Sequence, residues 1–336
     1  MLIERLGRWF LVRAERVPWT PLVGTARTLL ALGTLGTLLA TPERYLLSPI
    51  VGSVTPPACI GPARAALWCV VPQTHRSLAL WVAVVVLAWA ASGWLPRWSA
   101  VLHWWVSWSF ISNLTVQDGG DQITAVLTLL LVPLLLTDRR RWHWQVAHED
   151  IHTASPTRWV LAYAALGLIA LQVAGLYLQA AISKLGVAEW ADGSAMFYWF
   201  NNSIFGAPPY LKPLTNLLTS SPVLVVTLTW GSLAIEFALG IAIVLGRPAK
   251  RVLLLLGLVF HDTIALTMGL ISFDLAMAGA LLLYLVPTED VRSLLHGLSL
   301  PRWRRRPSAQ PAASPPTHLV RANPGRVLVH ATKEAE

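Results

Sequence analysis

The strongest constraint on the fold of this chain is a series of long apolar stretches. About 20 consecutive apolar residues make an α-helix long enough to cross the ~30 Å hydrocarbon core of a bilayer. Charged residues make up only 13% of the sequence, whereas about 25% is usual in a soluble domain. The pattern therefore predicts an all-α, polytopic membrane helix bundle. Eight transmembrane helices are predicted, over residues 22–41, 77–95, 99–117, 121–137, 159–182, 222–246, 251–270 and 273–287.

The distribution of basic residues predicts the orientation of this bundle. The chain has 26 Lys and Arg residues and a formal net charge of +9, concentrated in short segments between the apolar stretches. With eight spans, the basic N-terminus, the Arg139–Arg141 run and the Arg304–Arg306 run fall on one side. Cytoplasmic segments are enriched in Lys and Arg, so we expect both termini in the cytoplasm and the protein in a cell membrane, typically a bacterial plasma membrane.

Nucleic acid is not an expected partner, because no aromatic-basic binding motif accompanies the positive charge. The expected surroundings are the lipid bilayer and its headgroups. Three segments are predicted. Residues 1–21 form an amphipathic cytoplasmic N-terminus, 22–290 a transmembrane domain with outer loops 42–76 and 183–221, and 291–336 a basic, disordered cytoplasmic tail rich in Pro, Ala and Ser.

Both cysteines of the chain, Cys59 and Cys69, fall in the predicted outer loop 42–76. An oxidising compartment outside the cytoplasm favours a disulfide between two nearby cysteines. A structural disulfide that closes a short loop is therefore predicted. A redox-active pair is the alternative, although the spacing is not that of a Cys-x-x-Cys motif.

Ionisable residues at membrane depth are the main candidates for a functional site. Each costs on the order of 2.5–3.5 kcal/mol at a helix centre, so each needs a partner or a role. Glu236 and His261 lie near the middle of two predicted helices, and Lys184 ends a third. We predict that Lys184 pairs with Asp118 or Asp121 and that Glu236 pairs with His261. Either these pairs only hold helices together, or they line a cavity in which Lys184, Glu236 and His261 act as catalytic acids and bases.

A second group of polar and aromatic residues is predicted to bind a substrate near the outer face. The aromatic residues of the 183–221 loop could line an opening, or they could form an ordinary interfacial belt. No metal site is predicted. The candidate substrate-binding residues are Asp118, Asp121, Gln179, Trp190, Asn201 and Asp262.

Several motifs, in order along residues 20–290, resemble the HTTM (horizontally transferred transmembrane) family. The segment from Tyr177 through Lys184-Leu185 and Trp190 to Gly193 is similar to the hallmark segment of that family. The two-cysteine loop, the stretch from Ser112 to Asp121 and the pair Asn201-Asn202 resemble its SdpB-like branch. The branch of the vitamin K-dependent γ-carboxylases is more distant, because its Asn-Asn-His element and its large lumenal domain have no counterpart here.

The resemblance implies one function, and the residues leave two alternatives open. SdpB-like proteins act with a small SdpA-like partner in the maturation and secretion of a toxic peptide whose active form carries a disulfide. We therefore expect a role in maturing or exporting a secreted antimicrobial peptide, with its precursor as a second partner. The first alternative is a membrane enzyme that uses a quinone or vitamin K-like cofactor, with Lys184 as the base that the carboxylase branch implies. The second is a proton-coupled transporter that depends on Glu236 and His261.

Overall fold

The computed structural model describes residues 16–49, 57–115, 117–147, 155–203, 205–289 and 291–298. These residues form helices, turns and loops, and they contain no β-strand apart from an isolated bridge between Trp94 and Trp142. The all-α class is therefore confirmed. Eight long helices coincide with the eight predicted ones: α1 (Pro21–Ala40), α2 (Arg76–Ser92), α3 (Pro96–Asn113), α4 (Gly119–Leu136), α5 (Pro156–Leu185), α6 (Pro222–Ile241), α7 (Arg247–Met268) and α8 (Ile271–Leu285).

Five helices in the described part of the chain are long and apolar enough to cross a bilayer: α1, α4, α5, α7, and α6 with its continuation to Val244. These five support a membrane bundle. Helices α2 and α8 are apolar but shorter, and α3 carries buried polar residues such as His103 and Ser107. The count of eight spans and the cytoplasmic position of both termini stay predictions.

Local sequence sets the ends of these helices. Proline stands in the first turn of α1, α3, α5, α6 and α7, where its missing N–H breaks no helical hydrogen bond. The Thr20 side chain caps α1 by accepting from Val23 N. Gly93 and Gly269 end α2 and α7 with φ angles of 78° and 74°, a left-handed conformation in which a Cβ is unfavourable.

The short helix α8 lies at the centre of the bundle and packs against α1, α4, α5 and α7. Almost every residue from Ala276 to Leu285 is buried. Two glycines let backbones approach closely: a Cβ on Gly279 would lie 2.8 Å from the Ala26 carbonyl oxygen, and one on Gly33 would lie 2.9 Å from that of Ser272. Helix α8 is thus apolar on all sides because protein surrounds it.

The described part of the predicted outer loop 42–76 is folded against α2 and α3. Cys59 and Cys69 form a disulfide, which confirms the predicted bond. Just before Cys69, Leu67 and Trp68 are buried in a core cluster that includes Phe110 of α3. The loop is therefore held by apolar packing as well as by the covalent bond.

The predicted terminal segments are described only in part. Residues 1–15 of the predicted N-terminus and 299–336 of the predicted tail lie outside the described residues. The first eight residues of the tail, Val291–Leu298, form a helix. Leu294 of this helix is buried in the main core, so the folded part extends beyond residue 290.

Candidate functional site

A cleft of about 360 Å³ opens between α4, α5, α6, α7 and α8. It lies toward the first turns of α4 and α8 and the last turns of α5, the ends that the charge pattern assigns to the outer face. Its wall is mostly apolar, with polar groups at a few positions. The lining residues are Gly119, Gln122, Ile123, Val126, Gln172, Leu176, Tyr177, Ala180, Lys184, Glu236, His261, Phe273 and Met277.

An ion pair between Lys184 and Glu236 crosses this cleft. Lys184 Nζ, in the last turn of α5, donates to Glu236 Oε1, in the second half of α6. The Glu236 side chain is only 8% exposed, whereas that of Lys184 is 28% exposed. The ammonium group also lies 5.0 Å from the ring centroid of Trp190, a distance at which a cation and an aromatic face attract each other. Lys184 therefore forms the more accessible half of the pair.

A second polar pair stands beside the first. Tyr177 Oη and His261 Nε2 are 2.8 Å apart and hydrogen-bonded. Both residues are buried, and the Phe273 ring packs edge-on against the imidazole with ring centroids 5.4 Å apart. Tyr177 lies seven residues before Lys184, which places both on one face of α5. This spacing is the sequence signal that could have added Tyr177 to the predicted site.

Two polar atoms in the cleft have no hydrogen-bond partner in the described part of the chain. They are Glu236 Oε2 and His261 Nδ1. Burying such a group without a partner costs free energy. Because both atoms face an open cleft, a ligand in the cleft could supply the missing hydrogen bonds. A carboxylate oxygen accepts a hydrogen bond, and an imidazole nitrogen donates or accepts one according to its tautomer. The cleft can therefore hold a ligand that is largely apolar and carries a few hydrogen-bonding groups.

The structure brings Lys184, Glu236 and His261 into one cleft but pairs them differently from the prediction. Lys184 contacts Glu236, not Asp118 or Asp121. The reason is geometric: a sequence shows how deep a residue lies along a helix but not which neighbour its side chain faces.

Asp118 and Asp121 form the N-terminal cap of α4. Asp118 Oδ1 accepts from the backbone N–H groups of Gly120 at 2.7 Å and Asp121 at 3.1 Å, while Asp121 Oδ2 accepts from Asp118 N at 3.1 Å. This reciprocal arrangement is a capping box. Asp118 Oδ2 also accepts from Ser272 Oγ at 3.0 Å, which joins α4 to the start of α8.

The other predicted substrate-binding residues are not part of the cleft wall. Trp190 contacts Lys184 at the mouth. Asn201 is exposed and donates from Nδ2 to the Phe197 carbonyl oxygen at 2.9 Å. Gln179 and Asp262 are exposed and do not line the cleft. Instead, the structure adds Gln122, Gln172 and Tyr177 to the polar groups that do.

No group of three or more His, Cys, Asp or Glu residues that could hold a metal ion occurs in the described part of the chain. The fold and the cleft thus define a polytopic helical membrane protein with buried ionisable side chains gathered in one cleft.

Comparisons with known proteins place the chain in a family. It is 36% identical over 289 residues to the uncharacterized protein YitO of Bacillus subtilis strain 168, and the aligned region covers 85% of this chain and 91% of YitO. It is 32% identical over 275 residues to the sporulation-delaying protein SdpB of the same organism, and the aligned region covers 81% of this chain and 83% of SdpB. The chain belongs to the SdpB family. No protein-family model and no solved structure matches it.

Proposed function

We propose that this protein takes part in the maturation or export of a secreted toxic or antimicrobial peptide at the bacterial plasma membrane, with an SdpA-like partner. The relationship to SdpB over most of the chain supports this function, as does the resemblance to the SdpB-like branch of the HTTM family. The observation that carries the proposal is the cleft itself, in which the Lys184–Glu236 pair stands within a mostly apolar wall.

The chemistry of the cleft suits a segment of a peptide precursor. Apolar side chains of the peptide would pack against Ile123, Phe273 and Met277. A peptide N–H would donate to Glu236 Oε2, which has no protein donor. Lys184 has three N–H donors, so it can bind a peptide carbonyl oxygen while it stays paired with Glu236.

The experiment is deletion of the gene, followed by mass spectrometry of the secreted peptides. We expect deletion to remove a mature peptide that the wild-type gene restores. Lys184→Met and Glu236→Gln variants, expressed at wild-type level, are expected to restore at most one tenth of it. Lys212→Met serves as the matched control, because Lys212 lies in the outer loop away from the cleft. An unchanged set of secreted peptides after deletion contradicts the proposal.

The quinone-dependent enzyme is a second candidate, favoured by the position of Lys184 at an apolar cleft. Phe273 and Met277 would contact the ring of a quinol, the reduced form of a quinone, and the neutral amine of Lys184 would take a proton from its ring hydroxyl. Because Lys184 is paired with Glu236, its proton has a carboxylate to which it can pass. Quinone in a lipid extract of the purified protein, with quinone-dependent turnover that Lys184→Ala abolishes, would favour this candidate over the first. No feature of the described residues favours the proton-coupled transporter over these two functions.

A further inference from the structure

Arg27 is a fully buried cation on α1, away from the cleft. Its side chain is 0% exposed. Nη2 donates to Ser99 Oγ of α3 at 2.8 Å, but Nε and Nη1 have no hydrogen-bond partner among the residues that the structure describes. An arginine buried among apolar helices with most of its donors unused is strongly unfavourable unless something else binds it.

The carboxylate of Asp138 does not supply this partner. Asp138 acts electrostatically on Arg27, but its oxygens are bound by Arg140. Arg140 Nε donates to Asp138 Oδ1 and Oδ2 at 3.0 and 3.1 Å, Nη2 donates to Oδ2 at 2.7 Å, and the Arg140 backbone N–H donates to Oδ1 at 3.0 Å. Asp138 therefore neutralises Arg140, and the buried group of Arg27, Arg140 and Asp138 keeps an excess of one positive charge.

Two histidines add unused polar atoms around the same charge. His103 lies one helical turn after Ser99 on α3 and is 1% exposed. Within the described ranges, neither His103 Nε2 nor His143 Nδ1 has a hydrogen-bond partner, while His143 Nε2 lies 3.4 Å from Thr28 Oγ1. Both imidazoles interact electrostatically with the Arg27 guanidinium. Nitrogen groups from α1, α3 and the segment after α4 are thus gathered around one uncompensated cation.

We propose that Arg27 and His103, with Ser99 positioning the Arg27 guanidinium, form a binding site for a small monovalent anion, with chloride as the physiological ligand. The site lacks both hydrogen-bond acceptors and a balancing negative charge. An anion supplies both, because it accepts from Arg27 Nε, Arg27 Nη1 and His103 Nε2 and it neutralises the excess positive charge. A water molecule would satisfy only the hydrogen bonds. All three side chains are buried, which favours a small anion over the larger lipid headgroup or phosphate. The bound anion would join α1 to α3 at the inner half of the bundle.

The test is thermal unfolding of the full-length protein in lipid nanodiscs, in sodium chloride and in sodium gluconate at equal ionic strength. Chloride that binds only the folded state raises its Tm in a saturable way, by about 3 °C at a tenfold excess over Kd. Arg27→Gln is expected to abolish this rise, because it removes the charge. Arg44→Gln is the matched control and is expected to keep it, because Arg44 is exposed in the outer loop.

Equal Tm values of the wild-type protein in the two salts would overturn the proposal, as would a chloride effect of the same size in Arg27→Gln. Should that variant not fold, crystals of the wild-type protein grown in bromide decide the question. An anomalous peak within hydrogen-bonding distance of Arg27 Nη1 supports the site. Saturating bromide with no peak there contradicts it.

Discussion

At the scale of single residues, the cleft depends on polar pairs whose members the sequence identifies but whose pairing it does not. Lys184, Glu236 and His261 could be predicted as candidates for a site, because ionisable side chains at membrane depth need partners. Their pairing could not, since the direction of each side chain around its helix depends on how the helices pack. Asp118 and Asp121 show the converse case: they were predicted to pair with Lys184 or to bind a substrate, and the structure places both in the capping box of α4. The pattern Asp-Gly-Gly-Asp before an apolar run is a signal that could have indicated this cap.

Breaking the Lys184–Glu236 pair on one side is expected to destabilise the protein, because the remaining charge is left without its partner. We expect Lys184→Met to lower the free energy of unfolding by about 2 kcal/mol, less than for a fully buried pair because Lys184 is partly exposed. The double variant Lys184→Met with Glu236→Gln should recover part of this loss. Unfolding of the four proteins of this cycle in nanodiscs measures the coupling. Additive losses would mean that the pair does not stabilise the fold.

His143 is expected to make stability depend on pH. Burial, together with the positive charges of Arg27 and Arg140, lowers the pKa of His143 from 6.5 to about 3. The unfolded chain therefore takes up a proton between about pH 6.5 and 3 that the folded protein does not bind. The stabilising contribution is complete above pH 6.5 and is lost as the pH falls through this range.

The measurement is Tm as a function of pH for the wild-type protein and for His143→Phe. The difference between them should shrink as the pH decreases from 6.5, whereas His75→Asn, at an exposed histidine, should follow the wild type. Parallel curves for all three proteins would show that His143 titrates alike in the folded and unfolded states.

At the scale of elements, the sequence predicted each long helix to within a few residues, because apolar length and the prolines mark where helices begin. It did not predict how tightly neighbouring elements approach. The turn between α2 and α3 lies against the segment that follows α4: His143 N donates to Gly93 O at 3.0 Å, and Leu95 N donates to Arg141 O at 2.8 Å. Such contacts between distant parts of a chain leave no periodic pattern to read.

Gly93→Ala is expected to be strongly destabilising for two reasons. The φ angle of 78° disfavours any residue with a Cβ, and the added atom would lie 2.1 Å from His143 Nε2. We expect a loss of about 2 kcal/mol or more. Gly36→Ala is the control: it lies within α1 with nothing within 4 Å of its Cβ position, and it should leave stability unchanged or raise it by up to about 1 kcal/mol. Thermal unfolding of both variants provides the comparison, and equal Tm values would contradict this account.

Asp118→Ala tests whether this residue supports the fold or binds a substrate. Removal of an N-cap side chain costs about 1 kcal/mol, and here the hydrogen bond from Ser272 is lost as well. We therefore expect a lower Tm but normal peptide production in cells grown at low temperature, where the variant stays folded. Loss of the peptide with an unchanged Tm would instead indicate a direct role in binding.

At the scale of the whole molecule, composition was sufficient for the class of protein and the two cysteines for the disulfide. The central position of α8 was not predictable, because a short apolar helix has the same sequence pattern whether lipid or protein surrounds it. Its neighbours α1, α4, α5 and α7 come from distant parts of the sequence, and only their packing reveals that α8 joins them.

The predicted orientation can be measured by labelling single cysteines in a background that keeps the disulfide. A cysteine at Tyr198, exposed in the loop predicted to lie outside, should react with a membrane-impermeant maleimide in intact cells. A cysteine at Gln145, exposed in the segment after α4, should react only after lysis, because positive segments face the cytoplasm. The opposite result would invert the topology.

The central position of α8 also has a consequence for how this protein is made. The chain is synthesised from its N-terminus, so α8 is made after α1 to α7, yet it fills the space among four of them. Until α8 is in place, the partly made bundle exposes the faces of Gly33 and Ala26 that later pack against it. The last long helix of the described chain therefore completes the core, and a membrane chaperone that acts before its arrival would find these small-residue faces uncovered.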